Sequence, residues 1–193
     1  MAFEDPDLAL VRALQAGEDR ALEALMDRHK EALFRFVLRH ISNEADAIEL
    51  TQEAFVRAYF NIGKFQPRAK FATWLYLIAL NLCRDHSRSQ FHRYSSRTIS
   101  TDNPAEEKDA QRQLLSNQQG PDKTTEERER LRALNKAISE LPEELKTPLI
   151  LTALEGFSHA DTGQVLGISP KAVETKVYRA RQLLLERMSR MGF

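Results

Sequence analysis

The sequence predicts an all-α protein made of two small helical domains joined by a flexible linker. Three observations predict it. Glycine and proline are scarce, at seven each in 193 residues. Apolar residues recur three and four apart, and strict period-two alternation is hard to find. That periodicity then dissolves across one long stretch in the middle of the chain. With 42% hydrophobic residues, a chain of this length can bury one ordinary core or two small ones.

Taken in order, Leu22, Leu25, Met26, Leu33, Phe36 and Val37 form one helical stripe. A second helical segment opens after Asn43 and carries Ile48, Leu50, Phe55, Tyr59 and Phe60. The third holds Trp74, Leu75, Leu77, Ile78, Leu80 and Leu82. It is apolar almost all round at its start, as befits the central helix of a small bundle, and turns basic after Cys83. Trp74 and Cys83 are expected in the core. From about Ser95 to Thr125 the chain runs to Ser, Thr, Asn, Asp, Gln, Pro and Gly, with Leu114-Leu115 as its apolar pair. The predicted organisation is a domain over 1–95, a linker over 96–125 and a domain over 126–193. A linker of this kind spans roughly 30 Å as a random coil and at most about 100 Å extended. Helical periodicity resumes with Leu131, Leu134, Ala137, Ile138 and Leu141, breaks at Pro142, and continues through Leu145, Leu149, Ile150, Leu151 and Leu154.

Formal net charge is zero, from 28 basic and 28 acidic residues, which argues against a polyanion binder relying on bulk positive charge. Any nucleic-acid site must come from segregation, and the charges do segregate. Residues 1–63 carry 7 basic and 12 acidic side chains, whereas 64–97 carry 7 basic and only Asp85 acidic. Residues 98–125 carry 3 and 5, and 126–193 carry 11 and 10, the basic excess lying near the end. A single cysteine, Cys83, excludes an internal disulfide and fits a reducing cytoplasm. No apolar run approaches the roughly 18–20 residues that span a bilayer, and the acidic start is unlike a signal peptide, so a cytoplasmic protein without membrane insertion is expected. No phosphate-binding glycine loop, zinc-ligand cluster or nucleophile motif is found, so no cofactor, no metal and no catalytic residue are expected.

The sharpest local pattern lies near the C-terminus. Ser158-His159-Ala160-Asp161 has the form of a capping box opening a short helix, Thr162–Leu166. Gly167 stands where that helix would end in a left-handed cap, Ile168 is an apolar plug, and Ser169-Pro170 supplies an N-cap and a proline at the first position of the next helix. Stop, turn and start adjoin as in a helix-turn-helix, whose second helix enters the DNA major groove. On that helix Val173, Val177 and Ala180 share the inward face, leaving Lys171, Glu174, Thr175, Tyr178 and Arg179 outward. Lysine and arginine bind guanine or phosphate, threonine a base or thymine methyl, and glutamate the cytosine amino group. Ser169, Lys176 and Arg181 complete the candidate set. An ordinary surface helix with solvated charges is the bland reading of such a face; the caps and turn in register favour DNA.

Two further segments carry a family resemblance. Residues 46–59, from Asp46-Ala47-Ile48-Glu49 to Arg57-Ala58-Tyr59, resemble the core-binding segment of the extracytoplasmic-function (ECF) sigma factors, in the sigma-70 family of bacterial RNA polymerase. Residues 71–81, Phe71-Ala72-Thr73-Trp74 to Leu80-Asn81, resemble their promoter-melting helix. Leu141-Pro142-Glu143 and Tyr178-Arg179-Ala180-Arg181 look like the family's C-terminal signatures. The likeness covers nearly the whole chain except the linker. It implies a sigma region 2 bundle, a linker and a region 4 helix-turn-helix, with core RNA polymerase, promoter DNA and an anti-sigma protein as partners.

In that frame Asp46, Glu49, Leu50, Gln52, Glu53 and Phe55 are expected to dock on the clamp helices of the polymerase largest subunit, with the flap as a second polymerase contact. The loop Phe65–Lys70 would capture a base flipped from the minus-ten element, and Asn81, Arg84 and Arg88 would read adjacent DNA. Melted DNA needs a basic groove with stacking platforms. Phe65, Phe91 and Tyr94 are candidate platforms; Arg68, Lys70 and Arg93 supply charge, and His86 and His92 lie nearby. The region 4 helix would read the minus-thirty-five element. The chain departs from the family pattern at Ile48, where an acidic residue is common, at Tyr59, where tryptophan is frequent, and at Glu174, where a basic residue often faces DNA. Two rival readings are a stand-alone dimeric helix-turn-helix regulator, which would leave residues 46–59 without a task, and a decoy adaptor that uses the fold to bind only a regulator protein.

Overall fold

The computed structural model describes residues 5–41, 43–96 and 125–193, with side chains described as far as Gln90 and again from Thr125. The chain divides into two compact units, Met1–Pro104 and Ala105–Phe193. Every regular element among the described residues is helical. The linker expected over 96–125 lies outside the described residues except at its ends, where one helix runs to Ser96 and the next begins at Thr125.

The first unit comprises α1 (Leu8–Gln15), α2 (Arg20–Ile41), α3 (Glu44–Asn61), a 3-10 turn (Ile62–Lys64) and α4 (Phe71–Ser96). The long α2 packs against α1, α3 and α4. Its Leu25, Leu33, Phe36 and Val37, with Phe71, Leu75 and Leu80 of α4, are removed almost completely from solvent. Each such side chain contributes roughly 1.5–3 kcal/mol. Phe36 meets Tyr76 with ring centroids 4.9 Å apart, and Cys83 is buried in the same core. Asn43 caps α3, its side chain accepting from the Asp46 N–H. The buried side of α3 is Ala47, Thr51, Ala54, Phe55 and Ala58. Ile48, Tyr59 and Phe60, apolar residues of the same helix, lie off this arc and are exposed.

The N-terminal segment ties this unit together. Buried Asp5 accepts from the Asp7 N–H at 3.0 Å and, across 66 residues, from the Phe71 N–H at 2.8 Å. Asp7, also buried, bonds Arg28 Nη1 at 2.9 Å and His29 Nε2 at 2.7 Å. Burial acts to raise the Asp7 carboxyl, but hydrogen bonds and charge from His29, then Arg28, outweigh it and hold the group below its ordinary value.

The second unit comprises α5 (Thr125–Ser139), α6 (Glu143–Leu149), a π turn (Ile150–Leu154), α7 (His159–Leu166) and α8 (Pro170–Arg190). Here α8 packs on α5, α6 and α7. Ala137, Leu141, Leu145 and Leu149 meet Val173, Val177, Ala180 and Leu184 in the core. The helical run after Pro142 is less regular than its periodicity implies. Pro148, inside α6, has no N–H to offer the carbonyl four residues back. The chain then widens into the π turn, where the Glu155 N–H donates to the Ile150 carbonyl at 3.1 Å. That widening turns Leu154, expected inside, out to solvent.

Between α7 and α8 the turn follows its sequence signals. The Ser158 hydroxyl accepts from the Asp161 N–H at 3.0 Å and donates to its carboxylate at 2.7 Å. Gly167 takes the left-handed conformation, φ 68°, that a Cβ disfavours. Ser169 accepts from the Ala172 N–H, with Pro170 first in α8. Ile168 packs against the core of the unit. Gly163 is required for another reason: a Cβ there would stand 2.6 Å from the Ile168 carbonyl oxygen.

Two stability predictions follow from this geometry. The lone tryptophan, Trp74, reports on the first unit. Asp7→Asn should lower urea stability there at pH 7 by about 1–2 kcal/mol, the half-exposed Arg28 contributing less than His29. Because the folded carboxyl titrates below its unfolded value of 3.8, the gap from wild type should be full above about pH 5 and close as pH falls through the folded pKa. Gly163→Ala should cost about 1–3 kcal/mol in the second unit, read by circular dichroism, while the Trp74 fluorescence transition stays in place.

Candidate nucleic-acid and polymerase interfaces

The exposed arc of α8 begins beside its N-cap. Ser169, Lys171, Glu174, Thr175, Tyr178 and Arg179 are all exposed. Lys171, Glu174, Thr175, Tyr178 and Arg179 fall within one arc opposite Val173, Val177 and Ala180. Tyr178 is 64% exposed. Lys171 Nζ lies 2.9 Å from Glu174 Oε2. That hydrogen bond, and then the lysine charge, hold the Glu174 carboxyl below its ordinary value. Thr175 donates to the Lys171 carbonyl at 3.0 Å. Two candidates fall outside this arc. Lys176 turns to the α6 flank, where its ammonium meets Glu144 at 3.0 Å. Arg181 stands beside a groove between α5 and α8.

On α4, Asn81, Arg84 and Arg88 are exposed and share one face with half-buried Trp74. Arg88 pairs loosely with Asp85 at 3.6 Å, both largely exposed. One aromatic expectation is overturned. Phe65, taken as a platform for a melted base, is 7% exposed, with its ring 5.3 Å from Trp74 and 6.2 Å from Phe71. Phe65 is thus packing in this structure, because its backbone leaves the 3-10 turn pointing into the bundle. Trp74, expected in the core, packs against Phe65 and Phe71 and is half-buried at the head of the basic face. Arg68 is exposed and Lys70 half-buried in the loop before α4. His86 turns to α3, its Nε2 3.2 Å from Asp46 Oδ2. The side chains of Phe91, His92, Arg93 and Tyr94 lie outside the described residues.

The outer face of α3 carries Glu49 and Gln52, with Glu53 beside them held at 2.7 Å by Arg57. Asp46 is half-buried against His86, and Leu50 is half-buried on the flank. Phe55 must be removed from the docking set: at 3% exposure it belongs to the core. The sequence reading of this face missed its apolar part. Ile48, Val56, Tyr59 and Phe60 are exposed there, Phe60 at 77%. Their signal was available, since Ile48, Val56, Tyr59 and Phe60 all fall off the helical arc that carries Ala47, Thr51, Ala54, Phe55 and Ala58. A second apolar surface was not anticipated. The groove between α5 and α8, about 630 Å³ in volume, is lined by Leu131, Leu134, Leu184, Leu185, Met188 and Phe193. Among the described residues no helix is long and apolar enough to cross a membrane.

Comparison with known proteins converges on this arrangement. The family described as sigma-70 region 2 matches residues 25–92, and that described as sigma-70, region 4, matches 131–184. The chain is 31% identical to the ECF RNA polymerase sigma-E factor of Haemophilus influenzae over 95% of its own length and 96% of the relative's. It is 28% identical to the RNA polymerase sigma-H factor of Pseudomonas aeruginosa, over 95% and 94%. Among solved structures it resembles CnrH, captured in complex with the cytosolic domain of CnrY, at a TM-score of 0.70 and 26% identity, covering 96% of this chain and 98% of that one. With region 2 on the α2–α4 bundle and region 4 on the helix-turn-helix, the chain belongs to the ECF sigma factors of the sigma-70 family, the subunits that direct bacterial RNA polymerase to promoters.

Proposed function

We propose that the three exposed helix faces divide the initiation task among them. The outer face of α3, with Glu49, Gln52 and Glu53 interleaved with Ile48, Val56 and Phe60, docks on the polymerase clamp helices. The α4 face of Trp74, Asn81, Arg84 and Arg88, with Arg68 and Lys70 of the preceding loop, holds opened minus-ten DNA. The open arc of α8 enters the minus-thirty-five major groove. The observation that carries this reading is the sorting of side chains: each helix gives one arc to the core and a chemically distinct arc to solvent. Mixed acid and apolar surface suits a protein partner, since binding energy concentrates in a few buried apolar or aromatic anchors. A basic face headed by an indole suits single strands.

Polymerase performs the catalysis, and this chain contributes binding energy alone. The apolar groove between α5 and α8 is assigned to the polymerase flap. By analogy with CnrH, which is solved with a protein domain bound, a cytoplasmic anti-sigma protein is assigned as the partner that masks these faces. The stand-alone repressor reading leaves α3's outer face without a role.

Promoter-dependent transcription from purified core polymerase is the decisive measurement. The full chain should direct RNA synthesis from discrete template sites that core alone ignores; absence of any such start would end the proposal and leave the decoy adaptor. Arg179→Ala should weaken minus-thirty-five duplex binding by about 1–3 kcal/mol if it reads a base, and uniformly across sequences if it holds phosphate. Phe60→Ala should weaken core binding by about 1–2 kcal/mol without changing binding of the isolated chain to duplex, as read by competition for core.

A further inference from the structure

We propose that Asp5 and Gln15 are positioning residues that set base selection by the loop 65–70. The inference rests on the minus-ten reading above. Between the 3-10 turn and α4 this loop exposes Gln66, Pro67 and Arg68. A short loop of this kind keeps a shape only if both its ends are fixed. At its near end, Gln15 Nε2 donates to the Ile62 carbonyl at 2.8 Å and to the Phe65 carbonyl at 3.1 Å. The Phe65 ring, packed on Phe71 and Trp74, seats the same point from inside.

At the far end, Asp5 Oδ2 accepts from the Phe71 N–H at 2.8 Å. It thereby satisfies one of the first-turn donors of α4 that no intrahelical carbonyl can reach, and its charge faces the positive end of that helix. Asp5 is itself locked. It is 7% exposed, and its other oxygen takes the Asp7 N–H at 3.0 Å. Asp7 in turn is gripped by Arg28 and His29, and the His29 ring lies 5.7 Å from Phe71. Two side chains from the first fifteen residues therefore hold both ends of a loop more than forty-five positions later. Selecting one base over another demands side-chain and backbone placement within about 0.5 Å. Both residues also lie ahead of the 25–92 stretch that matches region 2. The loop's geometry thus depends on residues outside that match.

The test uses holoenzyme assembled from core polymerase and the full chain, with a random-sequence single-stranded DNA decamer pool as the probe. Retained decamers are sequenced, total retention is measured, and Trp74 fluorescence melting is followed in parallel. Wild type should enrich one base strongly at one position. Gln15→Leu should lower that preference by about five- to tenfold, while total retention, core binding and the Trp74 melting transition change little; Asp5→Ala should lower the preference as much with retention kept, its melting transition falling because two buried N–H donors lose their acceptor. Asp5→Glu, which keeps both acceptor oxygens, should recover part of the preference. Unchanged preference in Gln15→Leu overturns the inference while leaving the minus-ten reading intact. So does a parallel fall of preference, retention and melting temperature, the mark of simple unfolding. Should Asp5→Ala fail to fold, Gln15→Leu, a surface change, decides alone. A wild-type holoenzyme that enriches no base overturns the minus-ten reading, and this inference with it.

Discussion

The packing of α4 against α2 is the contact on which the first unit depends. Phe71, Leu75, Tyr76 and Leu80 bury the early turns of α4 among Leu33, Phe36 and Val37. Because a helix is stiff over this length, fixing its apolar start also fixes the direction in which Asn81, Arg84 and Arg88 point. The second unit uses the same device on a single helix: Val173, Val177, Ala180 and Leu184 are held in the core, so the opposite arc of α8 is presented as a rigid surface. In both units the proposed recognition face is a by-product of how the same helix is buried, which places it on a rigid element.

A chain of zero net charge meets a polyanion and an enzyme surface by sorting its charges, and many of those charges already have partners. Lys171 holds Glu174, Arg57 holds Glu53, Arg88 leans toward Asp85 and Lys176 meets Glu144. These pairs are largely exposed, and exposed pairs contribute little, commonly below about 1 kcal/mol. Exchanging them for phosphate or polymerase groups therefore costs little. The Asp7 cluster behaves differently: its carboxylate is buried, and releasing it would leave a charge without compensation. Strong pairs hold the frame, and weak ones occupy the faces.

Much of this was legible in the sequence. The caps at Asn43, Ser158, Gly167 and Ser169 depend on residue types with one local job, so each could be read without tertiary information. The inward face of α8 followed from helical spacing alone. What could not be read is where tertiary contacts choose among similar residues. Phe55 and Phe60 are put on different arcs of one helix by spacing alone, but which arc faces inward, leaving Phe60 77% exposed, is set by how α3 rolls on α2 and α4. Phe65, expected as an exposed platform, is buried against Phe71 and Trp74, a packing choice that its local sequence does not encode. The Asp5 cap on α4 spans 66 residues, and no local pattern encodes so distant a bond. Pro148 was visible, but the π turn that follows it was not.

The bond between Asp46 and His86, at 3.2 Å, joins the first turn of α3 to the solvent-facing half of α4. One partner stands at the edge of the face proposed for polymerase and the other within the basic stretch proposed for the opened strands. The two surfaces are consequently not separate modules. A substitution at Asp46 chosen to tune affinity for the enzyme would also release the imidazole into the neighbouring field of arginines, so its phenotype would be a composite of both surfaces. A substitution at either Asp46 or His86 therefore alters the surroundings of both helices at once.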